Sequence, residues 1–195
     1  MRTVSPEDNA RLLVLALTRG GALQFGEFTL KDGSKSNYFI DFGKVADPNY
    51  LYILGCCYAT KLWEIGVHRF EVIFGLAYKG IPLAQATSLA LWKEYGIAKP
   101  YAFNRKEAKD HGEGGVLIGA AVEGQRCVVV DDVFTGGSGK TEAYEILKEN
   151  GADVPLTVVG VNRSEPGMLT DFISRTSIPV YSIVTAEDVL RGRKQ

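Results

Sequence analysis

Two acids followed by a turn rich in glycine and hydroxyl groups are the part of this chain best equipped for chemistry. They read Asp131-Asp132-Val133-Phe134-Thr135-Gly136-Gly137-Ser138-Gly139, directly after the apolar run Cys127-Val128-Val129-Val130. Between a strand and a helix, such glycines and hydroxyls present backbone N–H groups at a positive helix end, which suits a phosphate. The carboxylates cannot hold a phosphate directly; they accept hydrogen bonds from sugar hydroxyls or meet a bound cation. In chain order the acids suit a ribose and the turn suits its phosphate. Gly139-Lys140-Thr141 ends like a nucleotide-binding P-loop, but that pattern needs a glycine five positions earlier, where Phe134 stands. The plain alternative is a pair of solvated acids on a glycine-rich connector.

A second segment gathers positive charge. Phe103-Asn104-Arg105-Lys106-Glu107-Ala108-Lys109-Asp110-His111-Gly112-Glu113-Gly114-Gly115 sets Arg105, Lys106, Lys109 and His111 close together. Such cations can wrap a diphosphate, and the arginine fork makes bidentate contacts. The acids between them neutralise the segment in the free state, and the glycines let it open and close as a lid. As a structural element alone it reads as a charged surface hairpin.

These segments need a scaffold, and the apolar pattern supplies one. The chain has 195 residues, 46% hydrophobic and 23% charged, enough for one domain with a sizeable core. With 22 basic and 23 acidic residues, net charge −1, it lacks the basic excess of a nucleic-acid partner. Three cysteines form neither a disulfide framework nor a metal spacing and read as buried thiols in a reducing compartment. The N-terminus does not read as a secretory signal, and no apolar run approaches the roughly eighteen residues of a membrane span, so a cytoplasmic enzyme is expected. Ser5-Pro6-Glu7-Asp8 and Asp47-Pro48 are helix starts, opening helices that stop at Gly20-Gly21 and Gly66. Between them, residues 25–30 and 38–42 read as two short strands forming a small cap. From residue 70, strands at 70–74, 101–104, 126–130, 156–161 and 180–184 alternate with helices at 81–95, 137–150 and 168–175, with a polar loop from 104 to 115 and a short terminal helix. That alternation predicts an α/β fold, a doubly wound, mostly parallel sheet with flanking helices, whose ligands sit beyond the carboxyl ends of its strands. We expect a single domain, with helix and hood at 1–45 and a core at 46–195 carrying a mobile loop at 104–115.

A hydrophobic strand, two acids, two variable residues, then threonine and small residues resembles the diphosphoribose-binding motif of the type I phosphoribosyltransferases, and 103–115 is similar to the catalytic loop of the orotate phosphoribosyltransferase family. Further segments match. Phe74-Gly75-Leu76-Ala77-Tyr78-Lys79-Gly80-Ile81-Pro82 resembles the family's Tyr-Lys pair at the diphosphate. Residues 28–39 resemble the segment covering the base, so Lys31 would reach the ligand while Tyr38 and Phe39 pack against a flat pyrimidine. Arg163, in Val161-Asn162-Arg163-Ser164-Glu165, matches the arginine that meets orotate. Without the resemblance, Phe39 reads as core, Lys31 as a solvated turn residue and Arg163 as an exposed loop residue.

The resemblance implies transfer of ribose 5-phosphate from phosphoribosyl diphosphate (PRPP) to orotate, with Mg²⁺ held mainly by PRPP and water rather than by protein ligands. It assigns PRPP to Tyr78, Lys79, Arg105, Lys106, Lys109, His111, Asp131, Asp132, Val133, Phe134, Thr135, Gly136, Gly137, Ser138 and Gly139. Orotate falls to Lys31, Tyr38, Phe39, Thr135 and Arg163, and catalysis to Arg105, Lys106, Lys109, His111, Asp131 and Asp132. It also implies a homodimer in which loop 104–115 completes the neighbouring site. A phosphoribosyltransferase for another base and a non-catalytic PRPP-sensing regulator are the alternatives. The chain departs from the family pattern at Ser34, Asn37, Asn162 and the extra glycine of 136–139.

Overall fold

The computed structural model describes residues 4–29, 35–109 and 115–191. Helix α1 (Pro6–Arg19) starts where expected: the Ser5 hydroxyl accepts the Asp8 N–H at 3.1 Å, and Pro6 occupies the first turn. Helix α2 (Pro48–Ile65) is capped by Asp47, whose carboxylate accepts the Asn49 N–H at 2.8 Å. Between them, β1 (Leu23–Thr29) and β2 (Lys35–Ile40) pair antiparallel as a separate two-stranded hood.

The remainder is one six-stranded sheet with helices on both faces. Its strands are β3 (Val72–Gly75), β4 (Tyr101–Lys109), β5 (Gly115–Gly119), β6 (Cys127–Phe134), β7 (Thr157–Asn162) and β8 (Val180–Thr185), in the spatial order β5-β4-β3-β6-β7-β8. All neighbours are parallel except β4 and β5. Strand β6 shows how the core forms. Val128 and Val130 pack with α1, α2 and α3 (Gly80–Tyr95), while Cys127 and Val129 pack with α4 (Ser138–Glu149) and α5 (Met168–Thr176). A strand alternates its side chains, so burial on both faces demands an unbroken apolar run. A last helix, α6 (Ala186–Arg191), follows β8.

Two differences from the sequence reading bear directly on the site. Strand β6 runs on to Phe134, so Asp131 and Asp132 stand on the sheet rather than in the following loop, held there by parallel pairing with β7. Strand β4 continues to Lys109 and returns as β5, so much of the stretch read as a polar loop is an antiparallel edge hairpin. Edge strands are satisfied by backbone pairing on one side only and carry charged side chains without the apolar alternation that marks central strands.

Candidate active site

Strands β3, β6 and β7 end side by side, and a close approach fixes the first turn. A Cβ on Gly75 would lie 2.1 Å from the Gly80 carbonyl oxygen, so only glycine lets α3 begin this near β3. The turn is tied from the side by Asn104, whose buried Oδ1 accepts the Ala77 N–H at 2.8 Å. It delivers Lys79 to the acids of β6: Nζ lies 3.7 Å from Asp132 Oδ2 and 2.9 Å from Asp41 Oδ1, at the end of the hood. Asp131 has its own cation, Lys140 of α4, at 2.6 Å. Tyr58 of α2 supports the same strand, its hydroxyl donating to the Asp131 carbonyl at 2.6 Å.

Acids and cations thus alternate across this floor, and their titration follows. The Lys79 ammonium holds the Asp41 carboxyl below its ordinary value despite partial burial. Burial alone would lower the Lys79 pKa, but Asp41 and Asp132 outweigh it, so the amine is held more firmly protonated. Burial, and then the Asp131 carboxylate, push the Asp132 carboxyl above its ordinary value, against Lys140 and Lys79. Asp132 Oδ1 also accepts the Val133 N–H at 2.6 Å.

Beyond Phe134 the chain turns into α4. Thr135, Gly136 and Ser138 are exposed at the helix start. Gly137 is buried with φ of +86°, and a Cβ there would meet the Phe172 ring at 2.3 Å, so the extra glycine is sterically required. Exposed N–H groups at this helix end suit an anion. Phe134 itself is fully buried against Phe172. It can meet a ligand only through its backbone, and its carbonyl already accepts the Arg163 N–H at 2.8 Å.

On the other side of this turn opens a cleft of about 1280 Å³, lined among others by Ser36, Tyr38, Thr135, Gly136 and Arg163. Arg163 stacks its guanidinium 4.4 Å from the Tyr38 ring centre and donates to Ser36 Oγ at 2.8 Å. Asn162 orients it: Oδ1 accepts from the Ser164 N–H and hydroxyl, turning the chain sharply after β7. Strand alternation puts Phe39 on the other face from Tyr38, stacked on Phe28 at 5.6 Å, and the cleft lining includes Tyr38 but not Phe39.

The structure therefore brings Lys79, Asp131, Asp132, Thr135, Gly136, Tyr38 and Arg163 to one end of the sheet. Tyr78 is there too, 71% exposed. Lys106 reaches Glu142 of α4 at 3.1 Å, and Arg105 donates to the Gly115 carbonyl across its own hairpin at 3.2 Å. Lys31, His111 and the side chain of Lys109 lie outside the described residues. Asp41, Asn104 and Lys140 belong to the site and were not singled out from sequence. Asp41 does follow the Tyr38-Phe39-Ile40 run, and Lys140 drew notice only as part of a P-loop ending.

Known proteins share this fold. The phosphoribosyl transferase domain matches residues 65–187. An orotate phosphoribosyltransferase of Acinetobacter baumannii is 45% identical over 90% of this chain and 82% of its own length, and one of Vibrio vulnificus is 51% identical over 86% and 80%. The crystal structure of the Francisella tularensis orotate phosphoribosyltransferase superposes with a TM-score of 0.78 at 32% identity, covering 94% of this chain and 90% of that one. The chain belongs to the phosphoribosyltransferase family and, within it, to the orotate phosphoribosyltransferases.

Proposed function

We propose that the chain transfers ribose 5-phosphate from PRPP to orotate, giving orotidine 5′-monophosphate and diphosphate in pyrimidine nucleotide synthesis. The observation that carries this reading is one continuous site: the turn at Thr135 and Gly136 lines the same cleft as Arg163 and Tyr38, with Asp131 and Asp132 on the strand leading into it. A phosphate on the turn and a ribose on the acids would direct C1 toward the cleft, where a guanidinium fork and an aromatic face suit a flat, carboxylated base.

The reaction breaks the C1–O bond with positive charge developing on the sugar, and a base nitrogen bonds to C1 as diphosphate leaves. Lys79 would neutralise the leaving group, together with Arg105, Lys106, Lys109 and His111 of segment 104–115; one well-placed donor contributes about 3 kcal/mol in such a site. Closure of 104–115 would keep water from the cationic sugar. Asp131 and Asp132 offer hard oxygen donors that suit Mg²⁺ or its water shell, and magnesium usually binds through substrate phosphates while keeping waters. Held chiefly by PRPP oxygens, the ion would spread the diphosphate charge.

We assign the working unit as a homodimer in which 104–115 reaches the neighbouring site. The exposed Leu89 and Trp92 on α3 give such an interface apolar material. Arg105→Ala and Asp131→Asn chains, each inactive alone, should recover activity when mixed, and heterodimers that form without recovery would contradict shared sites. Three free cysteines, two of them buried, fit the cytoplasmic setting expected from sequence. The test of the function is orotate consumption followed by ultraviolet absorbance. Loss of absorbance requiring protein, PRPP and Mg²⁺ together is the expected result. Diphosphate release with another base alone would replace the substrate, and PRPP binding without turnover of any base would favour a regulator.

A further inference from the structure

Lys140 occupies the wrong kind of position for a lysine. Helix α4 packs on the sheet through Lys140, Ala143, Tyr144 and Leu147, a stripe at helical spacing whose other members belong to the apolar core. The Lys140 side chain is only 5% exposed. Burying an ammonium costs more than burying a hydrophobe of the same volume, and swapping buried ion pairs for apolar groups is often neutral or stabilising. Stability therefore gives no reason for a Lys140–Asp131 pair over an apolar one. The contacts of Lys140 do. Nζ lies 2.6 Å from Asp131 Oδ2 and 2.5 Å from the Val133 carbonyl oxygen it donates to, and it sits 5.9 Å from the Phe134 ring centre. One amine thus ties the acidic end of β6 to the first turn of the helix that begins the phosphate loop. The other charged or titratable groups facing Asp131 and Asp132 are Lys79 from the β3–α3 turn, Tyr58 from α2 and Tyr144 from α4. Lys79 is shared with Asp41, so Lys140 is the dedicated partner of Asp131 among the described residues.

We propose that Lys140 is a positioning residue for PRPP, which from beneath the sheet end clamps the Asp131 carboxylate in the orientation that receives the ribose hydroxyls. The proposal rests on the ribose-binding reading of Asp131 given above. Lys140 is walled off from the cleft and touches no substrate; it acts only through Asp131 and the Val133 carbonyl. Without it, Asp131 would keep its place on β6 while its carboxylate turned freely, so the loss should fall on PRPP and spare orotate.

The test is the dissociation constant for PRPP, by calorimetry, in the full-length protein and in Lys140→Met, Asp131→Asn and the double variant, with unfolding temperature and both KM values alongside. Lys140→Met should weaken PRPP about tenfold, the effect of losing one charge-assisted hydrogen bond. KM for orotate should stay within about twofold; the unfolding temperature should fall in Lys140→Met, which leaves Asp131 without its buried partner, and recover in the double variant. In the Asp131→Asn background the same change should cost less than about twofold, because the clamped group is already gone. Equal losses in both backgrounds, or KM values for PRPP and orotate rising together, would overturn the proposal. If Lys140→Met does not fold, Lys140→Gln keeps a donor for the Val133 carbonyl without the charge and should show the same PRPP-selective loss. Failure of both to fold would assign Lys140 to stability alone and reject the role. Because PRPP binding is read directly, a protein that binds PRPP but ignores orotate would reject the base assignment while leaving this inference open to the same measurement.

Discussion

The floor of the site and its edge hairpin both present charge to the same ligand, but they hold it in opposite ways. On the floor, Asp131, Asp132, Lys79, Lys140 and Asp41 come from β6, the β3–α3 turn, α4 and the end of the hood and are paired with one another, with Lys140 almost wholly buried. On the hairpin, the Lys106–Glu142 pair is roughly half exposed at both ends, on the part of β4 that runs past its pairing with β3. Mutually paired charges built round the buried Lys140–Asp131 pair have their geometry set before a ligand arrives, which is what binding a ribose in one orientation requires. Exposed pairs contribute little to stability and exchange partners at little cost, which suits cations that must meet a diphosphate and release it. The contrast fits the proposed roles, the floor placing the sugar and the hairpin drawing off the leaving group.

The largest effect that sharpens this contrast is expected from Asp132→Asn. Catalytic efficiency should fall about 10²–10³-fold, as for loss of one essential charge-stabilising group. Its stability should move the other way. The folded state raises this carboxyl above its ordinary value, so it holds the proton more tightly than the unfolded chain does. That stability is present at low pH and is lost as pH rises from the ordinary carboxylate value through the raised one. At neutral pH the ionised acid is therefore a cost, and the amide should raise the unfolding temperature or leave it unchanged. A clear drop would mean that the floor is a stabilising network rather than a strained one.

Gly137→Ala comes next. With φ of +86° and Phe172 at 2.3 Å, it should destabilise the fold by about 2 kcal/mol or more, read as a lower urea midpoint, and weaken PRPP binding. Arg163→Ala should raise KM for orotate about thirtyfold and leave KM for PRPP within about twofold, as expected when one charged hydrogen-bonding group is removed from one substrate. Equal changes in both would place Arg163 in the floor instead of the base recess. The smallest effect belongs to the hairpin: Lys106→Ala should lower turnover about tenfold, while stability by urea unfolding changes by less than about 0.5 kcal/mol. A large loss of stability there would erase the distinction between the two regions.

What was legible in the sequence follows the same division. Helix starts at Ser5-Pro6 and Asp47-Pro48 are local, and the run of valines before Asp131 carries its burial in its composition. The acids and the glycine turn were readable because ligand chemistry constrains residue type within a few neighbours, whereas Arg163 was singled out only by the family resemblance. The reach of β4 to Lys109 and the return strand β5 were not, since edge pairing asks for backbone and leaves side chains free to be polar. Lys140 and Asp41 were hidden because their roles are ion pairs between distant elements, and no spacing along the chain records them. The opposite facing of Tyr38 and Phe39 was already implied by the strand read at 38–42, since neighbouring strand residues point to opposite faces.

The division of labour is tested most directly by equilibrium binding of three ligands, PRPP, ribose 5-phosphate and diphosphate, to the protein as it stands, to Asp131→Asn and to the Arg105→Ala/Lys106→Ala double variant. The account predicts that Asp131→Asn weakens PRPP and ribose 5-phosphate alike and spares diphosphate, while the hairpin variant weakens PRPP and diphosphate and spares ribose 5-phosphate. Equal weakening of ribose 5-phosphate by both variants would contradict it.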